Sequence, residues 1–109
     1  MPIPYAATEP PRADIDALPG ATLLEFGAPW CGICAALQPV LEPLLQQQTG
    51  LRHVKVEDGR GRPLGRSYGV KLWPTLIVLR DGQEVARLVR PQQAQAITDA
   101  IGQAQPLSR

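Results

Sequence analysis

A chain of 109 residues holds one compact domain and leaves no room for a second. With 44% hydrophobic and 19% charged residues it reads as an ordinary folded globule, and a formal charge of +1 gives no electrostatic basis for binding nucleic acid or a membrane surface. The first residues carry Pro2, Pro4, Pro10 and Pro11 where a secretory signal needs a basic start and about 7–15 apolar residues, and nothing approaches the roughly 20 apolar residues of a spanning helix.

These exclusions make the cytoplasm the expected location. In that reducing compartment two cysteines three positions apart are not a structural staple. The chain divides into a mobile N-terminal arm at 1–12, a single domain at 13–105 and a tail at 106–109. Residues 13–18 predict one or two turns of helix, stopped by Pro19-Gly20. Residues 21–28 form a mostly apolar run that fits a strand buried on both faces.

From 31 to 48 the period becomes helical. Ile33, Leu37, Val40, Leu41, Leu44 and Leu45 lie on one side, and Gln38, Glu42 and Gln46 on the other. Pro39 and Pro43 fall inside this helix; each removes an amide donor and crowds the preceding turn, so a kink or a break is expected. Residues 51–57 alternate, with Val54 and Val56 on one face and His53, Lys55 and Glu57 on the other. A Gly- and Arg-rich loop then leads to a short helix near 64–68. Strands at 75–80 and 84–90 are joined by Asp81-Gly82, a strong hairpin signal. A last helix spans about 92–103. Alternation followed by a hairpin argues for an α/β fold with a central mixed sheet and helices on both faces.

The chemistry concentrates in Trp30-Cys31-Gly32-Ile33-Cys34, where a buried strand hands over to a helix. Cys31 would cap that helix, where unpaired amides and the helix dipole stabilise a thiolate, the attacking species in disulfide exchange. Cys34, one turn later and within disulfide reach, would stay protonated until Cys31 has formed a mixed disulfide, then attack it and leave an internal bridge. Gly32 keeps the approach open. Three other readings compete: a zinc site, which needs four ligands where the chain offers two Cys and one His; two inert core cysteines; and a metal or cluster shared between chains.

An ordered set of residues resembles the thioredoxin family from about 21 to 102. Phe26, Ala28 and Trp30-Cys31-Gly32 match the strand and active-site opening, Pro39 the proline of the active-site helix, Trp73-Pro74-Thr75 the segment with the cis-proline, and Asp81-Gly82 the hairpin turn. The resemblance implies a thioredoxin-like fold and a disulfide reductase that needs no bound cofactor and no metal. Its partners would be disulfide-containing proteins and a thioredoxin-reductase-type electron donor, and it would act as a monomer.

It also implies that Pro74 is cis beside the Cys31–Cys34 pair. Trp73 would then expose backbone groups to an extended substrate. Glu25 stands in the place of the family's buried acid, where it would take the Cys34 proton through a water, with His53 or Lys55 as its partner. A carboxylate in so apolar a strand is costly to bury alone. The chain departs from the family at Gly27, where an aromatic is common and space opens beside the dithiol, and at Ile33, which replaces a proline and frees an amide. A potential above the roughly −270 mV of thioredoxin is the expected result. Arg90-Pro91 replaces a small glycine-containing stretch beside the substrate groove. Substrate contacts are thus expected at Trp30, Gly32, Ile33, Trp73, Pro74 and Arg90. The alternatives are a disulfide isomerase or oxidant, and a redox-inert module that binds a partner around Trp30, Trp73 and Arg90.

Overall fold

The structure is a computed structural model that describes residues 4–105. In chain order its elements are α1 (Arg12–Asp16), β1 (Ala21–Gly27), α2 (Gly32–Gln46), β2 (Leu51–Glu57), α3 (Pro63–Ser67), β3 (Thr75–Arg80), β4 (Gln83–Val89) and α4 (Ala94–Gly102). β1 is buried at every position because it lies inside the sheet, whose order is β2-β1-β3-β4. It runs parallel to β2 and antiparallel to β3, and β4 returns antiparallel to β3.

The alternation along the inner strands sends side chains into two separate cores. Ala21, Leu23, Leu76 and Val78 meet Leu37 and Leu41 of α2 and Ile97 and Ile101 of α4. Leu24, Phe26, Ile77 and Leu79 meet Ile15 of α1 and Leu64 of α3, with Tyr68 beside them. Each fully buried Leu or Ile contributes roughly 1.5–3 kcal/mol. Glu25 and Gly27 share the phase of Leu23, so they face α2, and this places a carboxylate and a gap beneath the cysteine motif. The mixed sheet with helices on both faces agrees with the reading of the sequence.

Two expectations about the helices need correction, and the N-terminal segment makes contacts of its own. α2 is one continuous helix through Pro39 and Pro43, so neither proline breaks it. Its apolar face spans both prolines, with Leu37 and Leu41 buried and Leu44 and Leu45 packed against the same core, and this packing outweighs the lost amides. The last helix begins at Ala94, two residues after the expected start. The described part of the expected mobile arm lies against the domain: the Ala6 amide donates to the Lys55 carbonyl at 2.8 Å, and Glu9 Oε1 accepts the Leu64 amide at 3.0 Å. That carboxylate satisfies an otherwise orphan donor at the start of α3. The expected tail at 106–109 lies outside the described residues.

Candidate active site

β1 ends at Gly27, and a tight turn brings the Cys31 amide back to the Ala28 carbonyl at 3.1 Å. Cys31 becomes the N-cap of α2, with extended backbone (φ −86°, ψ 113°), and its sulfur accepts the Cys34 amide at 3.2 Å. The sulfur therefore meets an N–H that no helical carbonyl could reach, the arrangement that favours a thiolate. Both cysteines are free. Cys31 is partly exposed, whereas Cys34 is 1% exposed. Burial pushes the Cys34 thiol up to about 11, and its hydrogen bond with Cys31 acts in the same direction.

Glu25 is fully buried and fully partnered. His53 Nε2 lies 2.8 Å from Oε1, and Gln38 Nε2 donates to Oε2 at 2.9 Å. Lys55 Nζ donates to Gln38 Oε1 at 3.2 Å, so the lysine reaches the acid's network through the amide. Lys55 sits opposite Glu25 and His53 opposite Leu23, two residues back on the same face, and His53 Nε2 reaches the carboxylate at 2.8 Å. Gln38 also donates to the Cys34 carbonyl at 3.0 Å. Thus one side chain touches both the buried acid and the backbone of the second cysteine.

The Trp73–Pro74 bond is cis and Pro74 is buried. The indoles of Trp73 and Trp30 meet edge to face with centroids 5.3 Å apart, which brings the Pro74 segment beside the cysteine motif. Trp73 Nε1 donates to Asp58 Oδ2 at 2.8 Å. The Trp73 carbonyl accepts Arg90 Nε at 2.8 Å, which takes up one of its two acceptor sites. Arg90 achieves this from a left-handed backbone with φ 51°. A neighbouring cleft of about 520 Å³ is lined by Gly32, Ile33, Val40, Arg90 and Pro91. Trp30 is 74% and Ile33 48% exposed at its approach.

Sequence reasoning missed three contributors. The helical period puts Gln38 on the polar side of α2, although its position one turn after Cys34 is the available signal. Asp58 falls in the Gly- and Arg-rich loop after 57. Tyr5 belongs by sequence to the N-terminal arm, yet its hydroxyl donates to the Ala28 carbonyl at 3.2 Å, beside Cys34. The gap at Gly27 was the signal for a residue from elsewhere.

Among the described residues no group of three or more His, Cys, Asp or Glu side chains is gathered to hold a metal ion. No helix among them is long and apolar enough to cross a membrane.

Comparison with known proteins bears on these observations. The Thioredoxin family model matches residues 12–103. Thioredoxin of Bacillus subtilis (strain 168) is 37% identical over 83 residues, covering 75% of this chain and 80% of that protein. Among solved structures, reduced thioredoxin 2 from Pseudomonas aeruginosa PAO1 superposes with a TM-score of 0.80 at 50% identity, covering 94% of this chain and 98% of that one. A point mutant of thioredoxin from Halobacterium salinarum NRC-1 gives 0.74 at 33% identity, covering 88% and 84%.

Proposed function

The chain belongs to the thioredoxin family and is a thiol–disulfide oxidoreductase, and from that premise we propose how its residues divide the reaction. Cys31 attacks a substrate disulfide as the thiolate, forming a mixed disulfide and releasing one substrate thiolate. Cys34 then loses its proton and attacks the Cys31 sulfur. The Cys31–Cys34 bond forms, the bond to substrate breaks, and the second substrate sulfur leaves as a thiolate that takes up a proton. The substrate disulfide is reduced by two electrons and the dithiol is oxidised by two.

The observation that carries this order is the contrast between the two sulfurs. Cys31 is accessible and receives an amide hydrogen bond, while Cys34 is buried and held as a thiol. Glu25 is the acceptor for the Cys34 proton, through a water, and His53 and Gln38 hold the carboxylate in place. Trp30, Gly32, Ile33, Trp73, Pro74 and Arg90 frame the substrate groove. Family membership implies disulfide substrates and a reductase donor. We assign protein disulfides as the substrates, a thioredoxin-reductase-type flavoenzyme as the donor, a monomer as the working form and the cytoplasm as the location. No resident cofactor or metal enters the cycle.

The deciding experiment is a redox titration of the Cys31–Cys34 pair against a dithiol buffer. A potential near −270 mV supports a general reductase, whereas one near −180 mV, that of protein disulfide isomerase, supports the isomerase or oxidant reading. Failure to form an internal disulfide at any poise would overturn both and leave a binding module.

A further inference from the structure

Gly27 lies directly beneath the second cysteine, and the space it leaves is occupied from two sides. A Cβ at position 27 would stand 2.7 Å from Cys34 Sγ and 2.8 Å from the Tyr5 hydroxyl oxygen. The phenol therefore reaches the same small volume as the resolving sulfur, having come from the N-terminal segment instead of from the sheet. Three contacts hold it there. The Ala6 amide is fixed on the Lys55 carbonyl at 2.8 Å, the Lys55 ammonium stands over the Tyr5 ring at 4.6 Å, and the hydroxyl rests on the Ala28 carbonyl at 3.2 Å. Pro4, Tyr5, Ala28, Cys34, Gln38 and Lys55 line one cleft of about 360 Å³.

A phenol has one proton to donate. At 3.2 Å its bond to Ala28 is longer than the usual 2.7–2.8 Å of an O–H···O bond, so that proton is weakly committed. A thiolate at Cys34 would be a far stronger acceptor than a neutral carbonyl. The other ionisable groups beside this sulfur and phenol are Cys31, Glu25 and Lys55, with His53 held on Glu25. Burial, with Cys34 and Glu25 close by, raises Tyr5 above the ordinary phenol range, so it keeps its proton while Cys34 loses one. A hydrogen bond from the phenol to Cys34 would lower the thiol and so favour its thiolate.

We propose that Tyr5 serves the resolving step: its hydroxyl turns from the Ala28 carbonyl to the Cys34 sulfur as that sulfur becomes a thiolate, stabilising the nucleophile that attacks the mixed disulfide. The Cys34 proton still passes to Glu25 or solvent, and Tyr5 gives up none. This rests on the assignment of Cys34 as the resolving cysteine.

A small aromatic disulfide, dithiobis-nitrobenzoate, separates the two attacks. Cys31 releases the first chromophore and Cys34 the second, so stopped-flow absorbance reads each step. Tyr5→Phe keeps the ring on Lys55 and removes only the hydroxyl. It is expected to slow the second phase about tenfold, the effect of one hydrogen bond to a charged acceptor, and to leave the first within about twofold. In a Cys31→Ser background the same change should raise the pH midpoint of Cys34 alkylation. Tyr5→Ala should slow the second phase at least as much.

An unchanged second phase in Tyr5→Phe overturns the proposal even if Tyr5→Ala is slow, because the ring would then act as cover alone. Equal slowing of both phases also overturns it. Absence of a second phase in the unaltered protein would instead overturn the resolving role of Cys34 itself.

Discussion

Arg90 Nε donates a hydrogen bond to the carbonyl oxygen of Trp73 at 2.8 Å, while the Arg90 amide donates to the next carbonyl, that of Pro74, at 2.9 Å. An extended substrate, were it to dock along this edge, would meet an acceptor already sharing one bond, next to a positive charge. The left-handed backbone of Arg90 is what lets one residue make both bonds.

Arg90→Gly tests this cover. Glycine adopts a positive φ freely, a gain of order 1 kcal/mol, and the lost side-chain bond costs a similar amount. Stability should stay within about 1 kcal/mol of the parent, while the KM for a protein disulfide falls several-fold and the rate with a small aromatic disulfide holds. An unchanged KM would mean that substrates do not use the Trp73 carbonyl.

Cys34 gives the reduced protein a pH signature. Its folded value, about 11, stands above the 9.0 of a free thiol, so the native state keeps its proton where the unfolded chain has lost it. That contribution to stability is complete below pH 9 and disappears as pH rises towards 11. Tyr5 and Tyr68 are raised as well and act with the same sign. The measurement is therefore the difference between the parent and Cys34→Ser in denaturant midpoint across this window. The parent should lose stability more steeply, and parallel curves would contradict the burial argument.

The Glu25–His53 contact should matter twice. His53→Ala strips a partner from a fully buried carboxylate and should cost about 3 kcal/mol in urea unfolding. Glu25→Gln keeps the shape and removes the proton acceptor. The second thiol-release phase should slow about 100-fold, in the range of general-base catalysis, with the first phase little changed. Equal rates in that variant would reassign the acceptor to solvent.

Gly27→Ala places a methyl 2.7 Å from Cys34 Sγ and 2.8 Å from the Tyr5 oxygen. Overpacking of this kind costs about 1–3 kcal/mol. In a Tyr5→Ala background only the sulfur contact remains, so the penalty measured by denaturation should shrink. An equal penalty in both backgrounds would argue against Tyr5 occupying the gap.

Ile33→Pro should lower the potential of the dithiol, because it removes an amide from the turn that carries the Cys31 sulfur. A redox titration that returns the same or a higher value would refute that role.

Local patterns in the sequence carried much of the site. Cys31 and Cys34 stand at a strand-to-helix junction that hydrophobic runs alone can locate, and Asp81-Gly82 marks its hairpin by turn chemistry. The surroundings of Glu25 were harder to read, because bringing His53 and Lys55 to it requires the register of two strands distant in sequence. Gln38 escaped for a similar reason: helical periodicity places it at the margin of the apolar stripe without saying that an acid waits across the interface. Tyr5 was the least legible. Five positions from the start, among prolines and with no periodicity, it gains its place from a glycine that lies twenty-two residues later.

The bond from the Ala6 amide to the Lys55 carbonyl also bears on how the molecule behaves in a crowd. Among the described residues β2 is an outer strand, and the outward carbonyls of such a strand are a template on which a second chain could add a strand and seed aggregation. The N-terminal segment occupies one of those carbonyls and then runs into Pro10 and Pro11, which have no amide to continue a ladder. One short tether thus covers part of a sticky margin without itself becoming a new one.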